Sequence, residues 1–133
     1  MIRVYLDVVG DLFHIGHINI FKQAKEFGDY LIVGVHSDSS VESYKRKPIF
    51  SEQDRYEIVR NCSLVDEVIE DAPLVLTKKY IGKNKIDIVV HGDDKSPHFE
   101  KQHKVPLEMR IMKYLKYTSG ISTTELIEKI KCN

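Results

Sequence analysis

Two histidines with a glycine between them stand near the start of the chain, in Leu12-Phe13-His14-Ile15-Gly16-His17. An apolar run from Val4 to Val9 precedes them, and a helix-like run from Ile18 to Phe27 follows. Histidines at i and i+3 face one spot at the mouth of such a helix. Gly16 removes a side chain there, so a bulky anion can approach the backbone. The helix start adds N–H groups without partners and the positive end of its dipole. This chemistry suits a triphosphate. The competing reading of His-x-Gly-His alone is a pair of rings that fill a turn.

A second stretch strengthens the anion reading. Thr118-Ser119-Gly120-Ile121-Ser122-Thr123-Thr124 precedes another helix-like run, Glu125 to Ile130. Other polar residues carry two readings each. Asp11 either orients the site or caps the first helix. Asp94, in Gly92-Asp93-Asp94, either binds ligand or makes a turn. Lys45 lies beside Arg46 and Lys47, a run that is either a phosphate grip or solvated surface. His36, His98 and His103 belong to no motif and read as surface or structural.

These residues need a scaffold. Arg3 to Val9 reads as a first strand. His17 to Phe27 has apolar residues at helical spacing and stops at Gly28. Tyr30 to His36 is a near-continuous apolar run suited to a central strand. Ser37 to Pro48 reads as a polar stretch. Ser51 with Asp54 forms a capping pattern for a helix ending near Arg60. Val65 to Ile69 reads as a strand, Asp71-Ala72-Pro73 as a turn, Thr77 to Gly82 as a helix, and Ile86 to His91 as a strand. Ser96 to Lys104 is polar, and Glu108 to Leu115 alternates as a last strand. A final helix begins near Ser122, with Glu125 completing a second capping pattern.

The alternation predicts an α/β fold: a Rossmann-like single domain over residues 1–133, with a five-stranded parallel sheet and helices on both faces. Ligands in such sheets sit outside the C-terminal strand ends. The histidines, Gly92 to Asp94, and Thr118 to Thr124 all follow strands and share that rim.

Composition bounds the function. The 133 residues are 42% hydrophobic and 30% charged, as in ordinary globular domains. Twenty basic residues balance twenty acidic ones, which argues against a nucleic-acid partner. No apolar run is long enough to span a bilayer, and no membrane partner or leader peptide is expected. Cys62 and Cys132 form no motif, so a reducing cytoplasmic setting is expected.

The chain resembles the nucleotidyltransferases with a His-x-Gly-His motif. Within them it is similar to the cytidylyltransferases of ethanolamine phosphate, choline phosphate and glycerol 3-phosphate. Five pieces carry the resemblance: Asp11 to His17, Val33 to Asp38, Val65 to Val68, His91 to Asp94, and Gly120 to Thr124. It implies transfer of a cytidylyl group from CTP to an alcohol phosphate, releasing pyrophosphate. The acceptor phosphate is largely dianionic at neutral pH, with a second pKa near ~6. It therefore needs placement and charge neutralisation rather than a general base.

The resemblance also implies roles. His14 and His17 would bind the triphosphate and stabilise the transition state. Ser122, Thr123 and their helix start would hold the β- and γ-phosphates, with Thr118 nearby. Val9, Gly10, Asp11, Gly16, Asp94, Gly120 and Ile121 would complete the nucleotide site. Lys45 would bridge the two substrates. Mg²⁺ is expected with CTP, and a homodimer is expected, with Val65 to Val68 near its interface.

Asp7 stands where the amino-alcohol enzymes carry an aspartate facing an ammonium. Leu74 and Ser96 occupy positions that are aromatic in the choline enzymes, and a quaternary ammonium favours an aromatic box. Ethanolamine phosphate is therefore expected first, choline phosphate second and glycerol 3-phosphate third. Tyr117 and Ser63 replace family arginines, with Lys116 or Arg110 as substitutes for the former. That loss motivates a rival reading, a nucleotide-binding module without turnover.

Overall fold

The structure is a computed structural model that describes residues 1–93, 98–118 and 120–133. Five strands form one all-parallel sheet: β1 (Arg3–Val8), β2 (Tyr30–Val35), β3 (Glu67–Glu70), β4 (Ile88–Gly92) and β5 (Met112–Leu115), in the order β3-β2-β1-β4-β5. The six helices are α1 (Ile15–Lys25), α2 (Asp38–Glu42), α3 (Glu52–Arg60), α4 (Lys78–Lys83), α5 (Phe99–Glu108) and α6 (Thr123–Cys132). The strand order reverses between β1 and β4, which opens a crevice above their C-terminal ends.

Strand alternation sorts the side chains onto two faces. Val4 and Leu6 of β1, with Leu31, Val33, Val35 and Val90, pack on Phe21 and Ala24 of α1 and Tyr56 and Val59 of α3. Tyr5, Ile32 and Val89 face the other way, toward Leu76 before α4 and Ile81 within it, with Val105 of α5 alongside. The same period puts Asp7, Gly34 and His91 on this second face. Gly34 is needed there, because a Cβ would meet the Tyr5 hydroxyl and, at 2.8 Å, the Ala72 Cβ.

Three local expectations are corrected. The first helix starts at Ile15, not His17, because His14 is its N-cap. The polar stretch after Ser37 folds into α2, with the Ser37 side chain accepting from the Ser40 N–H. Phe99–Glu108 is helical, so the last strand begins at Met112 rather than Glu108. Pro106 hid this helix. It cannot donate to the Gln102 carbonyl, the helix kinks at His103, and Leu76 N–H takes that carbonyl instead at 3.0 Å. The expected helix start at Ser51 is borne out: its Oγ accepts from Asp54 N–H at the start of α3. Ser122 caps α6 likewise, accepting from Glu125 N–H at 3.1 Å.

Candidate active site

The crevice holds a cavity of about 370 Å³. Asp7, Val9, Gly10, Asp11, His14, Gly16, His17, Lys45, Thr118, Ile121, Ser122 and Thr123 all line it. The structure thus brings together the expected residues from both ends of the chain. Gly120 does not line the cavity; it adopts φ +81° in the turn before α6. Asp94, Ser96 and Ser119 lie outside the described residues.

The two motif histidines cap α1 reciprocally. His14 Nδ1 accepts from Gly16 N–H at 3.0 Å, and His17 Nδ1 accepts from His14 N–H at 3.1 Å. With both Nδ1 atoms accepting, the proton of each neutral ring must sit on Nε2. Each ring therefore offers an Nε2–H donor. Burial lowers the His14 pKa, and burial followed by the neighbouring His14 pulls His17 down to about 4. At neutral pH both are uncharged donors of fixed tautomer. Gly16 has a second reason to be glycine: a Cβ would lie 2.6 Å from His14 Cε1. The space it leaves is filled by the His14 ring rather than left open for a ligand.

Asp11 is not the cap of α1. It is buried, and its carboxylate accepts from Leu12, Ile49 and Phe50 N–H at 3.1, 2.7 and 2.9 Å. Its carbonyl accepts from Thr123 Oγ1 at 2.9 Å. Asp11 therefore fastens the segment after α2 and the start of α6 to the first loop. That segment carries Lys45 and Arg46 onto the cavity wall, whereas Lys47 is exposed and does not line it. Arg46 Nη1 reaches Thr124 Oγ1 at 3.4 Å. Lys45 Nζ lies 5.3 Å from the Tyr44 ring centroid.

Sequence reasoning singled out Lys45 rather than Arg46 from the basic run, and it missed Arg55 as the organiser of the loops beside them. Arg55 is fully buried. It donates to the carbonyls of Phe50, Val9 and His36 at 3.1, 2.7 and 2.7 Å, and to Asp38 Oδ1 at 2.7 Å. The loops after β1 and β2 are tied through this one guanidinium.

The proposed arginine substitutes fare differently. Arg110 precedes β5, at the end of the strand away from the cavity, and Ser63 likewise precedes β3. Lys116 follows β5 on the right rim, where its backbone is clamped by Gln23 at 2.8 and 2.9 Å, but it does not line the cavity. Tyr117 does line it and lays its ring against Gly92, leaving no room for a Cβ there.

At the other end of the cavity stands Asp7. His36 Nε2 lies 3.8 Å from its Oδ1. Burial opposes ionisation of both groups, yet their mutual attraction prevails: Asp7 is lowered and His36 raised. His36 and His103, which belonged to no motif, are buried beside this carboxylate, and His98 and Leu74 line the wall. The signal that would have found His36 and His103 is their placement on the same sheet and helix face as Asp7.

A parallel sheet with a crevice at its switch point, bordered by two capped helix starts and a His-x-Gly-His turn, defines a Rossmann-like α/β domain whose rim suits an anion. Residues 10–129 match the family described as cytidylyltransferase-like. The chain belongs to that family. It is 41% identical over 131 residues to an ethanolamine-phosphate cytidylyltransferase of Dictyostelium discoideum, covering 97% of this chain and 36% of that protein. It is 40% identical over 135 residues to choline-phosphate cytidylyltransferase 2 of Arabidopsis thaliana, covering 97% of this chain and 44% of that one. The chain thus spans less than half the length of these relatives. A solved lipopolysaccharide core biosynthesis protein from Thermoplasma volcanium GSS1 superposes with TM-score 0.71 at 32% identity, over 89% of this chain and 97% of that one. No helix among the described residues is long and apolar enough to cross a membrane.

Proposed function

We propose that this domain transfers a cytidylyl group from CTP to an amino-alcohol phosphate, foremost ethanolamine phosphate, releasing pyrophosphate. The observation that carries this reading is the cavity's polarity. Neutral Nε2–H donors and a capped helix start lie at one end, and a carboxylate lies at the other. The first end suits a triphosphate, and Asp7 suits an ammonium. Relatives named as ethanolamine-phosphate cytidylyltransferases in several organisms support it.

In the reaction, a phosphate oxygen of the acceptor forms a bond to the α-phosphorus of CTP, and the bond from that phosphorus to the β-bridging oxygen breaks. No proton must move, because the attacking phosphate is already dianionic. His14 and His17 donate hydrogen bonds to the charge that builds on the α-phosphate and leaving group. Their fixed tautomer means no reorganisation precedes the step. Lys45 and Arg46 add positive charge between the substrates. Asp11 and Arg55 position these groups without touching substrate.

Mg²⁺ enters this reading as a partner of CTP, where it would neutralise triphosphate charge. The described residues at the phosphate end do not form a cage for it: Asp11 is the carboxylate there, and both its oxygens accept backbone N–H groups. The expected homodimer is part of the same reading, and sedimentation of the purified chain tests it.

The test of function is pyrophosphate release from CTP and Mg²⁺ with ethanolamine phosphate, choline phosphate and glycerol 3-phosphate offered separately. Release that is fastest with ethanolamine phosphate is expected. No release with any of the three, while CTP still raises the melting temperature, would replace this reading with that of a binding module.

A further inference from the structure

The phosphate end and the amine end of the cavity leave a third corner. Among the described residues it is formed by Ile20, Gly92, Tyr117, Thr118 and Ile121. Ile20 lies three residues after His17 and so shares its face of α1. Ile121 leans over the His-x-Gly-His turn, with its Cγ2 3.7 Å from the point that a Cβ on Gly16 would take. None of the five carries a charge, and two are branched aliphatics. Neither a triphosphate nor an ammonium finds its complement here.

This corner contains one aromatic ring. The phenol end of Tyr117 rests on Gly92, in the place where a side chain on that residue would stand. Gly92 is the last residue of β4 and is buried, whereas Tyr117 is 47% exposed. The ring therefore has backbone beneath it and surface left over toward the cavity. Its neighbours along the chain are both tied to α1. Gln23 Nε2 donates to the Lys116 carbonyl at 2.8 Å, and Gln23 Oε1 accepts from Lys116 N–H at 2.9 Å. Asn19 Nδ2 donates to Thr118 Oγ1 at 2.8 Å. With both flanking residues anchored, little further ordering is needed when a ligand meets the ring.

A nucleoside triphosphate has three parts, and its base is the part still unplaced. A pyrimidine is a flat ring with two π-faces and a polar rim. Stacking a base on an aromatic side chain strengthens binding about tenfold or more. Where the family carries an arginine, this chain thus offers a flat face instead of a charge. Resting on the reading of the domain as a cytidylyltransferase, we propose that Tyr117 is a nucleotide-binding residue whose ring carries one face of the base, with Ile20 and Ile121 closing the corner around it. The position then serves the base rather than the phosphates. Stacking is indifferent to the polar edge of a base, so this platform sets affinity and leaves the choice between cytosine and uracil to other groups.

The test is calorimetric titration of the chain with CMP, CTP, UTP and inorganic tripolyphosphate, each with Mg²⁺, in wild type, Tyr117→Phe and Tyr117→Leu. Tyr117→Leu, which still covers Gly92, is expected to weaken CMP, CTP and UTP by one common factor of about tenfold and to leave tripolyphosphate unchanged. Tyr117→Phe keeps the ring and is expected to stay within about threefold of wild type for all four. A loss confined to CTP, UTP and tripolyphosphate would assign Tyr117 to the phosphates. An equal loss in the Phe and Leu variants would assign the contact to the hydroxyl. Either result overturns the proposal, as does a Leu variant that binds all four ligands as wild type does. The chain has no tryptophan, so Tyr117→Trp adds a single indole at the site. Its emission is expected to fall on binding CMP and to stay constant with tripolyphosphate. An emission that CMP leaves unchanged would overturn the proposal even if the Leu variant fails to fold. Failure of the cytidylyl-transfer reading looks different: nucleotide binding keeps its dependence on Tyr117 while no acceptor gives pyrophosphate.

Discussion

Removing the guanidinium of Arg55 should unfasten the site from beneath. Arg55→Met retains most of the aliphatic stem but leaves the carbonyls of Val9, His36 and Phe50 without their donor, and Asp38 without its ion pair. Breaking a buried charged pair by deleting one partner costs about 3–5 kcal/mol. Asp38 is 29% exposed at its side chain, so water relieves part of that charge. The unpaired carbonyls add about 1 kcal/mol or more each, though not additively. A net loss of about 3–4 kcal/mol follows, a large share of the roughly 5–15 kcal/mol that holds a domain folded. For a chain of this size it corresponds to a fall in melting temperature of about 10–15 °C. Urea unfolding followed by circular dichroism measures it. Asp38→Asn, which removes only the ion pair, is expected to cost about 1 kcal/mol. Arg55→Lys keeps the charge but cannot reach four acceptors from one ammonium, so it should lose more than half as much as the Met variant. The Met variant that still folds should bind CTP more weakly, because Val9 and the segment held by Phe50 both border the phosphate end. An Arg55→Met protein within about 1 kcal/mol of wild type would show that these bonds are replaceable by water and would refute the argument.

Three further outcomes follow from the same geometry. His17 is lowered from 6.5 to about 4 in the fold. The unfolded chain therefore binds a proton that the folded one refuses, and stability falls as pH drops from about 6.5 toward 4, by about 3 kcal/mol at most. His36, raised in the fold, works the other way and loses its contribution as pH rises above its unfolded value. His17→Gln should flatten the acid side of the stability profile in urea titrations, and an unchanged slope would remove His17 as its source. Gly34→Ala forces a methyl against the Tyr5 hydroxyl and Ala72, and is expected to cost about 1–3 kcal/mol of unfolding free energy. Arg46→Ala should lower kcat/KM for CTP about 10- to 100-fold with the melting temperature nearly unchanged, since the side chain's hydrogen bond to Thr124 is exposed. Equal kinetics would show that Arg46 does not add positive charge at the triphosphate.

What was legible in the sequence was what local periodicity and short-range spacing encode. The five strands, their parallel order of use and the helix starts at Ser51, Thr77 and Ser122 are written in alternation and in capping residues. His14, His17 and Ser122 sit within a few residues of the elements that aim them, so their shared rim followed from the fold class alone. The rest depended on contacts between segments far apart in the chain. Arg55 reads as one charge on an amphipathic helix until β1 and β2 end beside it. Asp11 reads as a helix cap until the segment at Ile49 and Phe50 returns to its carboxylate, 38 and 39 residues on. His103 was concealed twice, by Pro106, which breaks the helical pattern that carries it, and by lying 96 positions from Asp7. Yet the period of two along β1 and β4 already put Asp7 and His91 on one face. A helix covering that face must present something to a buried carboxylate. The residue it presents is His103, whose Nδ1–H is already bound to the Phe99 carbonyl.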